Sequence, residues 1–231
     1  MNLVYSTIFC KKDYITLLSM LLKTFQHFNS NEPTIKYLIL TSPDFELEVK
    51  QIFNYLKIDW NVFLLDIDNK FDACCARLQI FNYVDINKYN KILYIDCDCL
   101  IIKNLDNIFN MEIEDKIYTQ KEGNTRNEHW GATFFNNNNN NVSAFSTSVL
   151  LFNNCLIIKK LFSEILEHID THIEKKLPIQ NCMDQPFIVY HAISKNLYNN
   201  VELTNFVINS ADGNNIEEHV IVHLCGGVGN T

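Results

Sequence analysis

The chain has 231 residues, 47% of them hydrophobic and 12% aromatic, and a formal net charge of −8. That length suits one large domain with a sizeable core, and the acidic balance excludes a duplex-binding protein, which needs a basic footprint. Eight cysteines without a C-x-x-C pair predict reduced thiols in a cytoplasmic setting rather than a disulfide scaffold.

The N-terminal apolar run is broken by Lys11 and Lys12, too early for a secretory leader, and no run reaches transmembrane length. Residues 3–9 (LVYSTIF) read as a buried strand. From Tyr14 to Phe28, apolar residues recur at helical spacing. Residues 37–41 (YLILT) read as a second strand and Phe45 to Leu56 as a second helix. A third strand is expected over 60–67, a third helix over 74–86 and a fourth strand over 92–98. Alternating strands and helices, with strands apolar on both faces, predict an α/β fold: a mostly parallel central sheet flanked by helices, Rossmann-like, in a single domain. Ligands in such sheets bind at the carboxyl ends of the strands.

Beyond residue 103 the pattern loosens. A short helix is expected at 105–110 and a strand at 116–121, then a polar segment ending in six asparagines, 136–141, which reads as a loop. A strand over 145–153, a long helix from Cys155 to Lys175 and a helix beginning at Asp184, with Pro186 in its first turn, come next. VELTNFVI (201–208) and EEHVIVHL (217–224) read as late strands. Residues 1–103 are expected to form a nucleotide-binding half and 104–231 an acceptor- and sugar-binding half.

The stretch KILYIDCDCLII (91–102) carries the most chemistry. An apolar run interrupted by Asp96 and Asp98 would bury two like charges unless something offsets them. Residues i and i+2 of a strand share a face, so both carboxylates can converge on one divalent cation. Magnesium and manganese take one or two carboxylates plus substrate phosphates. The alternative is two solvated aspartates in a turn. His223, in VIVHLCGG, ends another apolar run and is a candidate third ligand; the alternative is a core histidine. Gly226 and Gly227 behind it would let backbone approach a phosphate.

Four segments in order, YSTIFCKKDY (5–14), ILYIDCDCLI, FSTSVLLFN (145–153) and the pair MDQP (183–186) and HLCG (223–226), resemble glycosyltransferase family 8, the glycogenin and galactinol synthase type, with the GT-A fold. The resemblance implies a UDP-sugar donor, a hydroxyl acceptor (sugar, protein or lipid), manganese, with magnesium as a substitute, and retention of anomeric configuration. UDP-glucose is the first-choice donor, then UDP-galactose or UDP-N-acetylglucosamine. It puts Asp96, Asp98 and His223 at metal-ligand positions and Thr7, Ile8 and Phe9 at the uracil pocket. Tyr14 falls where a ring packs on the base, and Arg77 near the donor. Cys97, Ser146, Thr147, Ser148, Gly226 and Gly227 fall at further donor-contacting positions, and Asp184 and Gln185 against the transferred sugar and acceptor. Ser146 and Ser148 replace the family's asparagine and glycine. Gly229 replaces a lysine on the diphosphate, leaving Lys11, Lys12 or Arg77 as substitutes. The acidic charge speaks against a nucleic-acid partner, a homodimer is left open, and the reduced cysteines predict a cytoplasmic protein; the Asn-, Ile- and Lys-heavy composition suits an AT-rich source, an amoebal organism or its large DNA virus.

Two rivals share some of these signals. A haloacid-dehalogenase-type phosphatase also places D-x-D after an apolar strand, but near its N-terminus. A nucleotide-sugar-binding domain with weakened catalysis would account for the serine and Gly229 departures. Elsewhere, Cys97 and Cys99 read as core residues, as does the Cys74–Cys75 pair. His168 and His172, one helical turn apart, read as a solvated helix face.

Overall fold

A computed structural model describes residues 1–29, 32, 34–135, 141–180, 182–213 and 215–225 of the chain. The elements in chain order are β1 (Asn2–Ile8), α1 (Asp13–Asn29), β2 (Ile35–Thr41), α2 (Glu46–Leu56), β3 (Trp60–Leu64), α3 (Lys70–Cys75), β4 (Lys91–Ile95), β5 (Cys99–Ile101), α4 (Asp106–Phe109), β6 (Ile117–Asn124), β7 (Ser143–Asn153), α5 (Leu156–Glu174), α6 (Gln185–Ser194), β8 (Tyr198–Asn199), β9 (Val207–Asn209) and β10 (Ile221–His223). A seven-stranded sheet runs in the order β3-β2-β1-β4-β7-β6-β8. β3, β2, β1 and β4 are parallel, β7 is antiparallel to β4 and β6, and β8 is parallel to β6. This is the α/β, mostly parallel arrangement that the sequence predicts.

Each central strand is apolar on both faces because both faces are covered. In β1, Leu3 and Tyr5 join the core under α5 and α6, whereas Val4 and Ile8 join the core under α1 and α2. β4 divides the same way, with Ile92 and Tyr94 on one side and Leu93 and Ile95 on the other. Burying such side chains stabilises by about 1.5–3 kcal/mol each. A second sheet, β5-β10-β9, sits beyond the end of β4 and pairs His223 with Cys99 across antiparallel strands. That pairing brings the C-terminal histidine to the aspartate turn.

Several expectations need correction. The fourth strand ends at Ile95 rather than 98, so Asp96 and Asp98 sit in a turn and not on one strand face. Of 217–224 only Ile221–His223 is extended, after a 3₁₀ turn over Ile216–Glu218. The third helix is α3 followed by a 3₁₀ helix over Ala76–Asn82, not a continuous α-helix over 74–86. The tighter winding buries Ala76, Arg77, Leu78 and Ile80 together; over one turn, periods of 3.0 and 3.6 look alike in sequence. The third strand stops at Leu64 rather than 67. The segment 201–208 is largely a 3₁₀ turn, with only Val207–Asn209 extended. His172 is buried, with Nε2 against the Pro178 carbonyl at 3.0 Å, and His168 Nδ1 faces His191 Nε2 at 3.0 Å, so this is not a solvated face. The asparagines 136–140 lie outside the described residues.

Candidate active site

β4 ends at Ile95, and Asp96, Cys97 and Asp98 form a tight turn into β5. The Asp96 amide donates to the Ser148 carbonyl at 2.8 Å, and the Cys99 amide closes the turn on the Asp96 carbonyl at 3.1 Å. The Leu224 amide reaches the Asp98 carbonyl at 2.9 Å, tying the end of β10 to the same turn. His223 Nε2 therefore stands 3.6 Å from Asp98 Oδ1, and His223 Nδ1 lies 3.0 Å from Asn209 Oδ1 on β9. Burial lowers the His223 pKa, but the carboxylates around it, Asp98 first and then Asp96 and Glu122, together hold the imidazole above its ordinary value.

Asp96 is held from the other side. It accepts a hydrogen bond from the Tyr94 hydroxyl and lies 3.4 Å from Arg77. Burial raises its carboxyl pKa, and the Arg77 charge opposes that. Arg77 is itself only 7% exposed. Its NH1 donates to the Thr147 carbonyl at 2.7 Å, its Nε to the Cys74 carbonyl at 3.2 Å, and its guanidinium carbon sits 4.6 Å from the centre of the Tyr94 ring. Nε also stands 3.0 Å from Asp184 Oδ2. Because that N–H points at Cys74, the contact is an ion pair rather than a hydrogen bond, and Oδ2 is left without a hydrogen-bond partner. Asp184 is 2% exposed, and burial pushes its carboxyl up to about 6 despite Arg77.

A cavity of about 380 Å³ opens at the carboxyl ends of β1 and β4. Thr7, Ile8, Phe9, Tyr14, Arg77, Asp96, Cys97 and Asp98 line it, all singled out from sequence. Lys11 lines it too, whereas Lys12 does not. Cys10, Lys70, Ala73 and Cys74 complete the wall and were not foreseen as binding residues. The signal was present: Lys70 and Cys74 lie seven and three residues before Arg77, on its side of the helical segment. Cys97 is buried, its thiol against the Thr7 carbonyl at 3.2 Å.

Ser146, Thr147, Ser148, Asp184, Gln185 and His223 stand beside this cavity rather than in its wall. The Ser146 and Ser148 hydroxyls are buried and pair with each other at 3.0 Å. Gln185, the first residue of α6, accepts from the Thr147 amide and hydroxyl at 3.2 Å each and donates to the His129 carbonyl at 3.1 Å. Gly131 lets the 128–135 segment cross the start of α6. A Cβ there would lie 2.8 Å from the Pro186 carbonyl oxygen, and its φ is +82°. Gly226, Gly227 and Gly229 lie outside the described residues.

No group of three or more His, Cys, Asp or Glu side chains among the described residues is gathered as a metal-binding cluster. Asp98 and His223 nevertheless suit a divalent ion. Two ligands of one ion, each about 2.1 Å away, stand at most ~4.2 Å apart, and the Nε2–Oδ1 separation of 3.6 Å falls inside that limit. Asp96 is the nearest further donor along the chain, with its oxygens turned to Arg77 and Tyr94. No helix among the described residues is long and apolar enough to cross a membrane.

The family model described as glycosyl transferase family 8 matches residues 7–228. A search of curated proteins finds no match. Among solved structures, the galactosyltransferase LgtC, in complex with donor and acceptor sugar analogues, superposes with a TM-score of 0.67 at 15% identity, covering 98% of this chain and 88% of LgtC. The glycosyltransferase GlyE of Streptococcus pneumoniae gives 0.63 at 21% identity, over 96% of this chain and 53% of GlyE. Mouse xyloside xylosyltransferase 1, in its apo form, gives 0.60 at 13% identity, over 96% and 97%. At these identities the superpositions speak for the GT-A fold. The family match spans nearly the whole chain, and the chain belongs to glycosyltransferase family 8.

Proposed function

We propose that the protein is a metal-dependent, retaining glycosyltransferase that moves a hexose from a UDP-sugar to a hydroxyl acceptor, a sugar, protein or lipid. UDP-glucose is the first donor to test, then UDP-galactose and UDP-N-acetylglucosamine. The observation that supports this reading is the approach of His223 Nε2 to 3.6 Å from Asp98 Oδ1, two residues far apart in the chain, beside the one cavity that Asp96 and Asp98 line. Family membership makes the phosphatase reading unnecessary.

In this reading Thr7, Ile8, Phe9 and Tyr14 form the wall for the base. Asp98 and His223, with Asp96 as third partner, would hold manganese or magnesium. The ion would neutralise charge that develops on the diphosphate as the anomeric C–O bond breaks. Lys11, Lys70 and Arg77 line the same cavity and supply fixed positive charge for the leaving group. Arg77 also keeps Asp96 and Asp184 in place. Asp184 and Gln185, at the start of α6 and outside the cavity wall, would have to turn toward the transferred sugar for their carboxylate and amide to stabilise the oxocarbenium character of the anomeric carbon. Acceptance of the acceptor's proton by the leaving phosphate makes a separate strong base unnecessary.

The test is UDP release from a UDP-sugar panel with manganese or with chelator. Turnover should require manganese, and Asp98→Asn should reduce it by about 100-fold or more with a melting temperature near wild type. Release of inorganic phosphate would contradict the transfer reaction. Intact donor under every condition would favour a binding domain instead.

A further inference from the structure

We infer that Asn209 is a positioning residue that fixes the tautomer of His223 and so decides which ring nitrogen is free to bind a metal. The inference rests on the metal reading above, but its first observable does not need a metal.

Asn209 ends β9 and is buried, and β9 pairs in parallel with β10 so that Asn209 and His223 lie in register. Its side-chain oxygen lies 3.0 Å from His223 Nδ1. An amide oxygen only accepts, so Nδ1 must carry the proton. In the neutral ring Nε2 then has a bare lone pair, and it faces Asp98 Oδ1 across 3.6 Å, too far for a hydrogen bond. With the ring neutral, these two acceptors leave a gap suited to a cation; with the ring protonated, the same approach is an ion pair whose proton a cation would displace. Metal-binding histidines commonly donate their other N–H to an oxygen acceptor, which fixes the ring's orientation and raises its basicity. Here the acceptor is an uncharged amide, held by a strand pairing that also brings His223 to the turn at Asp98.

The experiment has two readouts. Nitrogen-15 NMR of histidine-labelled apo protein, recorded at a pH high enough to leave the ring neutral and with His223 assigned by its loss in His223→Ala, should show a protonated Nδ1 and an unprotonated Nε2. Asn209→Asp keeps an acceptor and should retain that tautomer; Asn209→Leu removes it and should shift the ring toward Nε2–H. Manganese binding in the presence of UDP, followed by electron paramagnetic resonance of the free ion, should weaken about 10- to 100-fold in Asn209→Leu and only slightly in Asn209→Asp. A wild-type ring found as Nε2–H, or an Asn209→Leu protein that keeps both tautomer and manganese affinity, overturns the inference. Absence of manganese binding by a wild-type protein with the expected tautomer would overturn the metal reading, and with it this use of Asn209. Thermal melts of both variants separate these outcomes from loss of fold.

Discussion

Arg77 is the residue on which the polar interior depends. It is a buried cation between two buried or half-buried acids, and it also donates to the Thr147 carbonyl and stacks on Tyr94. Removing one partner of such a set strands the others, which costs more than the set contributes. We expect Arg77→Met to lose about 3–5 kcal/mol of unfolding free energy in urea. The loss should shrink at pH 5, where Asp184, already raised to about 6, takes up a proton. Arg77→Lys should recover only part, because one ammonium lacks the planar fork that reaches several acceptors. A Met variant as stable as wild type would show that the acids are not charged against Arg77. At this scale the sequence was informative where chemistry is local. Two aspartates in an apolar run demand a partner, and Arg77 was visible as a basic residue in an otherwise apolar segment. That Arg77 reaches both Asp96 and Asp184 depends on three separate elements and left no trace in spacing.

At the scale of elements, α5 and α6 meet through His168 and His191 beneath Phe134, which packs on His168, His172, Phe187 and Tyr190. Burial, then the facing His168 and the charge of Lys195, push His191 down to about 4, with Glu164 opposing. His168 is lowered by burial, His172 and Lys175. Between the ordinary value of 6.5 and about 4, the unfolded chain binds a proton that folded His191 refuses, so this pair costs stability as pH falls. Unfolding free energies of wild type and His191→Gln from pH 7 to 4.5 should differ in slope, the wild type falling faster, by about half a kcal/mol per pH unit once solvent screening at this half-buried ring is allowed for. Parallel curves would contradict it. Sequence periodicity showed that both helices exist but placed His168 and His172 on a wet face, because the partner His191 lies on another helix. The same limit explains the late strands: β9 and β10 are three residues each, and the 3₁₀ turn Leu203–Asn205 ahead of β9 buries its leucine just as a strand would.

Over the whole molecule, the parallel half was the most legible. Strands β1 to β4 are near-continuous apolar runs because helices cover both faces. Their order, and the reversal of β7 beside β4, followed from pairing that no single stretch encodes. That reversal matters for the site: β7 brings Ser148 to the Asp96 amide and Thr147 to Arg77 and Gln185, and the small sheet brings His223 to Asp98. The most direct test of this account is the structure of the protein soaked with manganese and UDP, with the ion located by its anomalous signal. We expect one manganese bonded to Asp98 and His223 and to the diphosphate, with Asp96 turned toward it and the base between Thr7 and Tyr14. A manganese bound elsewhere, or UDP bound without contact between the diphosphate and these side chains, would contradict it.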